Sequence, residues 1–121
     1  MKGGKMSEIY SNILQDLKKV KGVKMLALGS RDGFLIGEHA SKDIEMLTLM
    51  SAAMLRAAEN VTTGLEKVGA DRVIVDFNRG KLIAASAGQK ALISVMTAQN
   101  ANLDPIINEL ERTAGKIKEI L

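Results

Sequence analysis

The apolar residues of this chain fall into two rhythms, one helical and one alternating. Ile9, Ile13, Leu14, Leu17 and Val20 recur at helical spacing, with Ser7 ahead of them as an N-cap and Gly22 behind as a stop. A hairpin is predicted next. Val23 to Leu28 reads as a strand, Gly29-Ser30-Arg31-Asp32-Gly33 has turn chemistry, and Phe34 to Ile36 begins a return strand. Ser41 to Val68 has no proline and is rich in Ala, Leu, Met and Glu, so it predicts a helix of roughly 24 residues, about 36 Å long. Ser41 or Asp43 can cap it, Glu45 suits its first turn, and Gly69 lies beyond its end. Three β-forming runs follow, Arg72 to Phe77, Leu82 to Ala87 and Ala91 to Thr97, separated by short turns. Asn102 or Asp104 then caps a last helix, with Pro105 in its first turn and Ile106, Ile107, Leu110, Ala114, Ile117 and Ile120 as its apolar stripe.

The order is thus α-β-β-α-β-β-β-α, an α+β sandwich. A five-stranded, mainly antiparallel sheet needs both faces covered, which places the long helix on one face and the two terminal helices on the other. Residues 7–121 read as one domain behind a flexible tail, residues 1–6.

The long helix carries more apolar surface than one sheet requires. Met46, Leu47, Met50, Met54, Ala57, Ala58, Val61 and Leu65 form a stripe for the chain's own sheet, leaving Leu49, Ala52, Ala53 and Leu55 on a second face. Leaving both leucines exposed forgoes about 1.5 to 3 kcal/mol each, so a second covering surface is expected. Ala52 and Ala53 would let another helix approach closely. The run Val73, Ile74, Val75 and Phe77 is apolar on both faces and follows the long helix directly, where topology offers it an edge position. Apolar edges invite pairing, so a second copy that joins sheets through this strand would also set the long helices side by side.

Composition and charge narrow the function. Of 121 residues, 46% are apolar and 26% charged, as in an ordinary globular domain, and no apolar run approaches the roughly 20 residues of a membrane span. Without cysteine, disulfide and thiol chemistry are excluded, and the cytoplasm is the default location. Net charge is +3. Lys18, Lys19, Lys21 and Lys24 cluster where the first helix ends, where the helix dipole favours cations; an anionic partner is the alternative. Three aromatic residues, Tyr10, Phe34 and Phe77, are too few for a nucleic-acid stacking platform.

Catalytic constellations are missing. His39 is the single histidine and lacks a candidate partner, no Gly-Lys-Ser/Thr phosphate loop occurs, and Asp32, Asp71, Asp76 and Asp104 fit turns and caps. No cofactor or metal is expected. Arg56 interrupts the apolar helix and invites comparison with arginines supplied in trans to GTPases, but Glu59, three residues on, is a ready surface partner. Met46, Met50 and Met54 read as core filler, or as the lining of a pocket in a small-ligand-sensing module.

The hairpin turn Ser30-Arg31-Asp32-Gly33, the Ala-rich long helix, Gly69-Ala70-Asp71-Arg72-Val73-Ile74-Val75, Gly80 to Ile83 and Ala101-Asn102-Leu103-Asp104 stand in an order that resembles the Roadblock family. The resemblance runs from Ser7 to Leu121. It implies a Roadblock/profilin-like sandwich and a homodimer through the long helix and the first meander strand, its two sheets continuous. It also implies a non-enzymatic regulator or scaffold of a small Ras-like GTPase, in some members promoting GTP hydrolysis, or a structural light-chain-type adaptor. Leu49, Ala52, Ala53, Leu55, Arg56, Glu59, Val73, Ile74, Val75 and Phe77 are the expected dimer or partner interface.

Overall fold

The computed structural model describes residues 2–37 and 41–121, with side chains from Glu8 onward within them. Its elements are α1 (Lys2–Lys18), β1 (Val23–Ser30), α2 (Lys42–Glu66), β2 (Arg72–Phe77), β3 (Gly80–Ser86), β4 (Ala91–Thr97) and α3 (Leu103–Ile120). The strands form one antiparallel sheet in the order β1-β4-β3-β2, which leaves β2 at an edge.

The sheet has four strands among the described residues, not five. The segment after the first turn makes only a bridge from Leu35 to Gly29, held by Ser30 N–H to the Phe34 carbonyl (2.8 Å) and Ile36 N–H to the Leu28 carbonyl (2.9 Å). Gly37, the last described residue of this segment, has a φ of 103°, outside the extended region that the ladder requires. His39 lies outside the described residues.

Helix α1 begins upstream of Ser7, so the stretch expected as a loose tail enters the helix. Once the packed part of a helix is nucleated, extension is inexpensive, and the lysines and methionine there offset Gly3 and Gly4. At α3, Asn102 is the cap, its side chain accepting the Asp104 N–H at 3.2 Å. Ile106, Leu110 and Ile117 are buried as expected, but Ile120 is exposed and Thr113 takes a place on the inner face.

Helices α1 and α3 pack on each other and on one face of the sheet; α2 covers the other. Strand alternation then builds two unlike layers. Toward α1 and α3 the strands direct Leu28, Ile83, Ile93 and Val95, which meet Tyr10, Leu17, Ile106, Leu110 and Ile117 in the main core. Toward α2 they direct Ala27, Gly29, Ala84, Leu92 and Ser94, most of them small.

Candidate interaction surface

Helix α2 is the element whose exposed side needs explaining. Ser41 caps its start, accepting the Ile44 N–H on its hydroxyl (3.3 Å) and the Glu45 N–H on its carbonyl (3.1 Å). The helix stops at Glu66, short of the expected Val68. Lys67 adopts the left-handed conformation (φ 64°) and its N–H donates to the Thr63 carbonyl at 3.1 Å, the role that the sequence pattern assigns to Gly69.

The first turn after β1 docks on the middle of this helix. Gly33, at a φ of 95°, lies so close that a side-chain carbon there would sit 2.9 Å from Leu49 Cδ1, and one at Gly29 would sit 2.3 Å from Thr48 Cγ2. Arg31, from the same turn, reaches Glu59 with Nη2 to Oε1 at 2.5 Å, and Arg56 donates to the Arg31 carbonyl at 3.4 Å. Glu59 therefore pairs with Arg31, not with Arg56 as expected. Both partners of this contact are mostly shielded, whereas an Arg56 pair along the exposed helix would be screened by water.

This docking turns α2 relative to the sequence-based assignment of its faces. Leu47, Thr48, Ser51, Ala52 and Leu55 face the sheet, with Leu55 only 1% exposed. Ala52 and Leu55, expected on the outer face, pack instead against Leu92, Val73 and Ala70. Met46, Met50, Ala57, Val61 and Leu65, expected against the sheet, are exposed, Met46 at 56% and Leu65 at 75%. The reason is shape. A sheet face of Gly29, Ala27, Ala84 and Ser94 admits Thr48, Ser51 and Ala52 at close range and has no room for methionines. The small residues alternating with Leu28, Ile83 and Ile93 were the available sequence signal for this.

An outward apolar stripe results all the same: Met46, Met50, Ala53, Ala57, Val61 and Leu65, with Leu49 beside it. Its spacing of three and four keeps it on one side of the helix for about 28 Å. From Asn60 to Glu66 every residue except Thr62 is exposed, so the last turns of α2 have no cover from their own chain. At edge strand β2, Ile74 and Phe77 are exposed, while Val73 and Val75 are half-buried. Of the ten residues expected at an interface, Leu49, Ala53, Arg56, Ile74 and Phe77 are exposed; Glu59, Val73 and Val75 are half-buried; Ala52 and Leu55 belong to the core.

Met46 and Met50 face outward, so they neither fill the core as expected nor line the alternative pocket between α2 and the sheet. A concavity of about 800 Å³ lies elsewhere, between α1 and β1. Among the described residues no group of His, Cys, Asp or Glu has the arrangement of a metal site, and no helix is long and apolar enough to cross a membrane.

An antiparallel sheet between a long helix and a helix pair defines a class of small α+β sandwich, here with an uncovered apolar helix face. The chain belongs to the Roadblock/LC7 domain family, whose model matches residues 9–97. Its fold is shared with MglB in a tetrameric arrangement (TM-score 0.83, 18% identity, 94% of this chain and 88% of that one). The gliding protein MglB of Thermus thermophilus superposes equally well (0.82, 18%, 94% and 89%). A Roadblock/LC7 domain from Streptomyces avermitilis is also similar (0.78, 15%, 91% and 92%). No curated protein matches the sequence.

Proposed function

We propose that this protein is a non-enzymatic, self-associating regulator or scaffold of a small Ras-like GTPase, working in the cytoplasm. The observation that carries the reading is the outward stripe of α2 from Met46 to Leu65, uncovered in the single chain, together with the unpaired apolar edge of β2. A two-fold copy covers both at once: the α2 helices pack along their stripes, Ala53 and Ala57 permitting close approach, while the β2 strands extend one sheet into the next. Membership of the Roadblock/LC7 family and the shared fold with MglB support a role in a GTPase system. The dimer would be the regulator, presenting two copies of its rim to the GTPase. Stimulation of hydrolysis would come from ordering the partner's own catalytic groups, because Arg56 is engaged with the Arg31 carbonyl on the flank of the stripe.

Light scattering at micromolar concentration tests the assembly: twice the chain mass is expected, and a monomer overturns the reading. Single-turnover GTP hydrolysis by a Ras-like GTPase, with and without the protein, tests the regulation. A rate increase supports stimulation, binding at an unchanged rate supports scaffolding, and the absence of binding to either nucleotide state counts against a GTPase partner.

A further inference from the structure

Edge strand β2 carries a sequence that is complementary to itself. Two hydrogen bonds fix which of its residues face outward: Ser86 N–H donates to the Asp71 carbonyl (2.8 Å), and Lys81 N–H turns away from β2 to the Thr97 hydroxyl on β4 (3.0 Å). In the antiparallel register of β2 and β3, residues 71, 73, 75 and 77 therefore bond to β3, while Arg72, Ile74 and Asp76 direct their N–H and carbonyl groups to the edge. No other described backbone group meets them. The side chains of these three share the α1/α3 face with Ala85, Ile83 and Lys81 across the ladder, and Val73, Val75 and Phe77 share the α2 face.

A second β2 can pair here only with outward residues opposite outward residues, so a two-fold axis that keeps most of the strand paired falls at residue 73, 74 or 75. An axis at residue 73 sets Arg72 opposite Ile74, and one at residue 75 sets Asp76 opposite Ile74. An axis at Ile74 sets that residue against its own copy, with Arg72 opposite Asp76 twice and Val73 opposite Val75 twice. Every charge then meets its opposite and every apolar side chain meets another. Arg72 is free to take part: it lines a cleft with Asp71, Glu111 and Lys118 but forms no ion pair among the described residues. Asp76 pairs with Lys81, yet its side chain is still 75% exposed, and a carboxylate has acceptor sites for a guanidinium as well.

We propose that β2 selects a second copy of this chain, in the single register that puts Ile74 on the two-fold axis, through two ion pairs between Arg72 of one copy and Asp76 of the other. This register rests on the self-association proposed above and adds what that contact recognises. Apolar stripes along α2 discriminate weakly between related chains, and a slip of two residues along β2 keeps outward backbone groups facing each other. The charges act against both errors. A slipped copy, or a relative without an acidic residue four positions after a basic one, leaves Arg72 opposite an apolar or like-charged side chain.

Charge exchange tests the pairs. Arg72→Asp and Asp76→Arg, each checked for folding by circular dichroism, should each raise the dimer dissociation constant about tenfold in sedimentation equilibrium at low salt, since both pairs become like-charged. Mixed in equal amounts, the two variants should recover the wild-type constant within about twofold, even though the exchanged position 76 still faces Lys81 of its own chain. Disulfide formation reads the register without touching a charge, in a chain that has no cysteine of its own. Oxidised together, Val73→Cys and Val75→Cys should form a mixed disulfide, their Cα atoms about 4.5 Å apart, and neither should cross-link alone. Cross-linking of either cysteine variant alone, single charge variants as tight as wild type, or a mixture no tighter than its components would each overturn the register while leaving the dimer standing. A wild-type chain that sediments as a monomer would overturn self-association itself, and the register with it.

Discussion

The two faces of the sheet are built on opposite plans. Beneath α1 and α3 lies a layer of large aliphatic side chains, and the outer sides of these helices are mostly polar, with Glu111, Arg112, Lys116 and Glu119 on α3. Beneath α2 lies a layer rich in Ala, Gly and Ser around Leu92, and the outer side of that helix is apolar. In the first layer size supplies the stability and solvent ends the structure. In the second, close approach complements Leu47 and Leu55, and several large side chains, Met46, Met50 and Leu65 among them, are left facing out. A helix that keeps Met46 and Met50 outside and Ser51 inside is placed for contact on both sides.

The sharpest contrast is expected from deletions in the large-residue layer. Ile106→Ala removes a fully buried side chain that touches both helix and sheet and should destabilise the chain by about 2 to 5 kcal/mol. Met50→Ala, on the outer stripe, should change the stability of the dilute monomer by no more than about 0.5 kcal/mol. Urea unfolding at submicromolar concentration checks both. Similar losses would mean that the outer stripe is packed in the single chain and that the contrast is false.

The α2 layer should fail in the opposite sense, by overfilling. Gly29→Ala places a methyl carbon 2.3 Å from Thr48 Cγ2 and should cost about 1 to 3 kcal/mol. Thr48→Ser in the same chain removes that methyl but keeps the hydroxyl, which donates to the Ile44 carbonyl at 2.8 Å, so it should recover a substantial part of the loss. A double-mutant cycle in urea measures the recovery, and additivity of the two changes would show that α2 does not sit this close.

The outer stripe is next in size as far as the single chain is concerned. Met50→Asp should leave a folded protein that runs as a monomer in light scattering, its melting temperature no longer rising with protein concentration. Leu55→Asp should instead unfold the chain at any concentration, since Leu55 is enclosed by Ala52, Leu92 and Val73. If Leu55→Asp folded and merely dissociated, the sequence-based assignment of the two helix faces would hold after all.

Element types and their order are legible from periodicity because each strand and helix has a strong local signal; β2 and β4 have the limits the sequence suggests. The return strand is not, since three apolar residues between two turn-forming stretches support a bridge as readily as a ladder. The faces of α2 escape a reading of the helix for a different reason. A hydrophobicity wheel ranks Met46 and Met50 above Thr48 and Ser51 as core, but the sheet opposite decides, and its small residues take Thr48, Ser51 and Ala52 at close range beside Leu55. That information lies in β1, β3 and β4, far along the chain, so no reading confined to the helix could recover it. Even so, the surplus of apolar surface is visible without the correct register, because it depends on the count of apolar residues and not on their rotation.

The smallest expected effect concerns the end of α2, where the helix runs past the sheet. Lys67 holds a left-handed conformation (φ 64°) that glycine adopts freely, at an exposed position whose N–H already closes on the Thr63 carbonyl. Lys67→Gly relieves that strain but increases the freedom of the unfolded chain and removes a cation from the helix C-terminus. The balance should be a gain of about 0.5 kcal/mol, measurable by urea unfolding of the dilute chain. It should be the same at high concentration, because the cap lies beyond Leu65, the last residue of the stripe. A gain that shrinks or reverses as the protein associates would place the cap inside the contact, and the apolar face of α2 would then extend through the end of the helix to Val68.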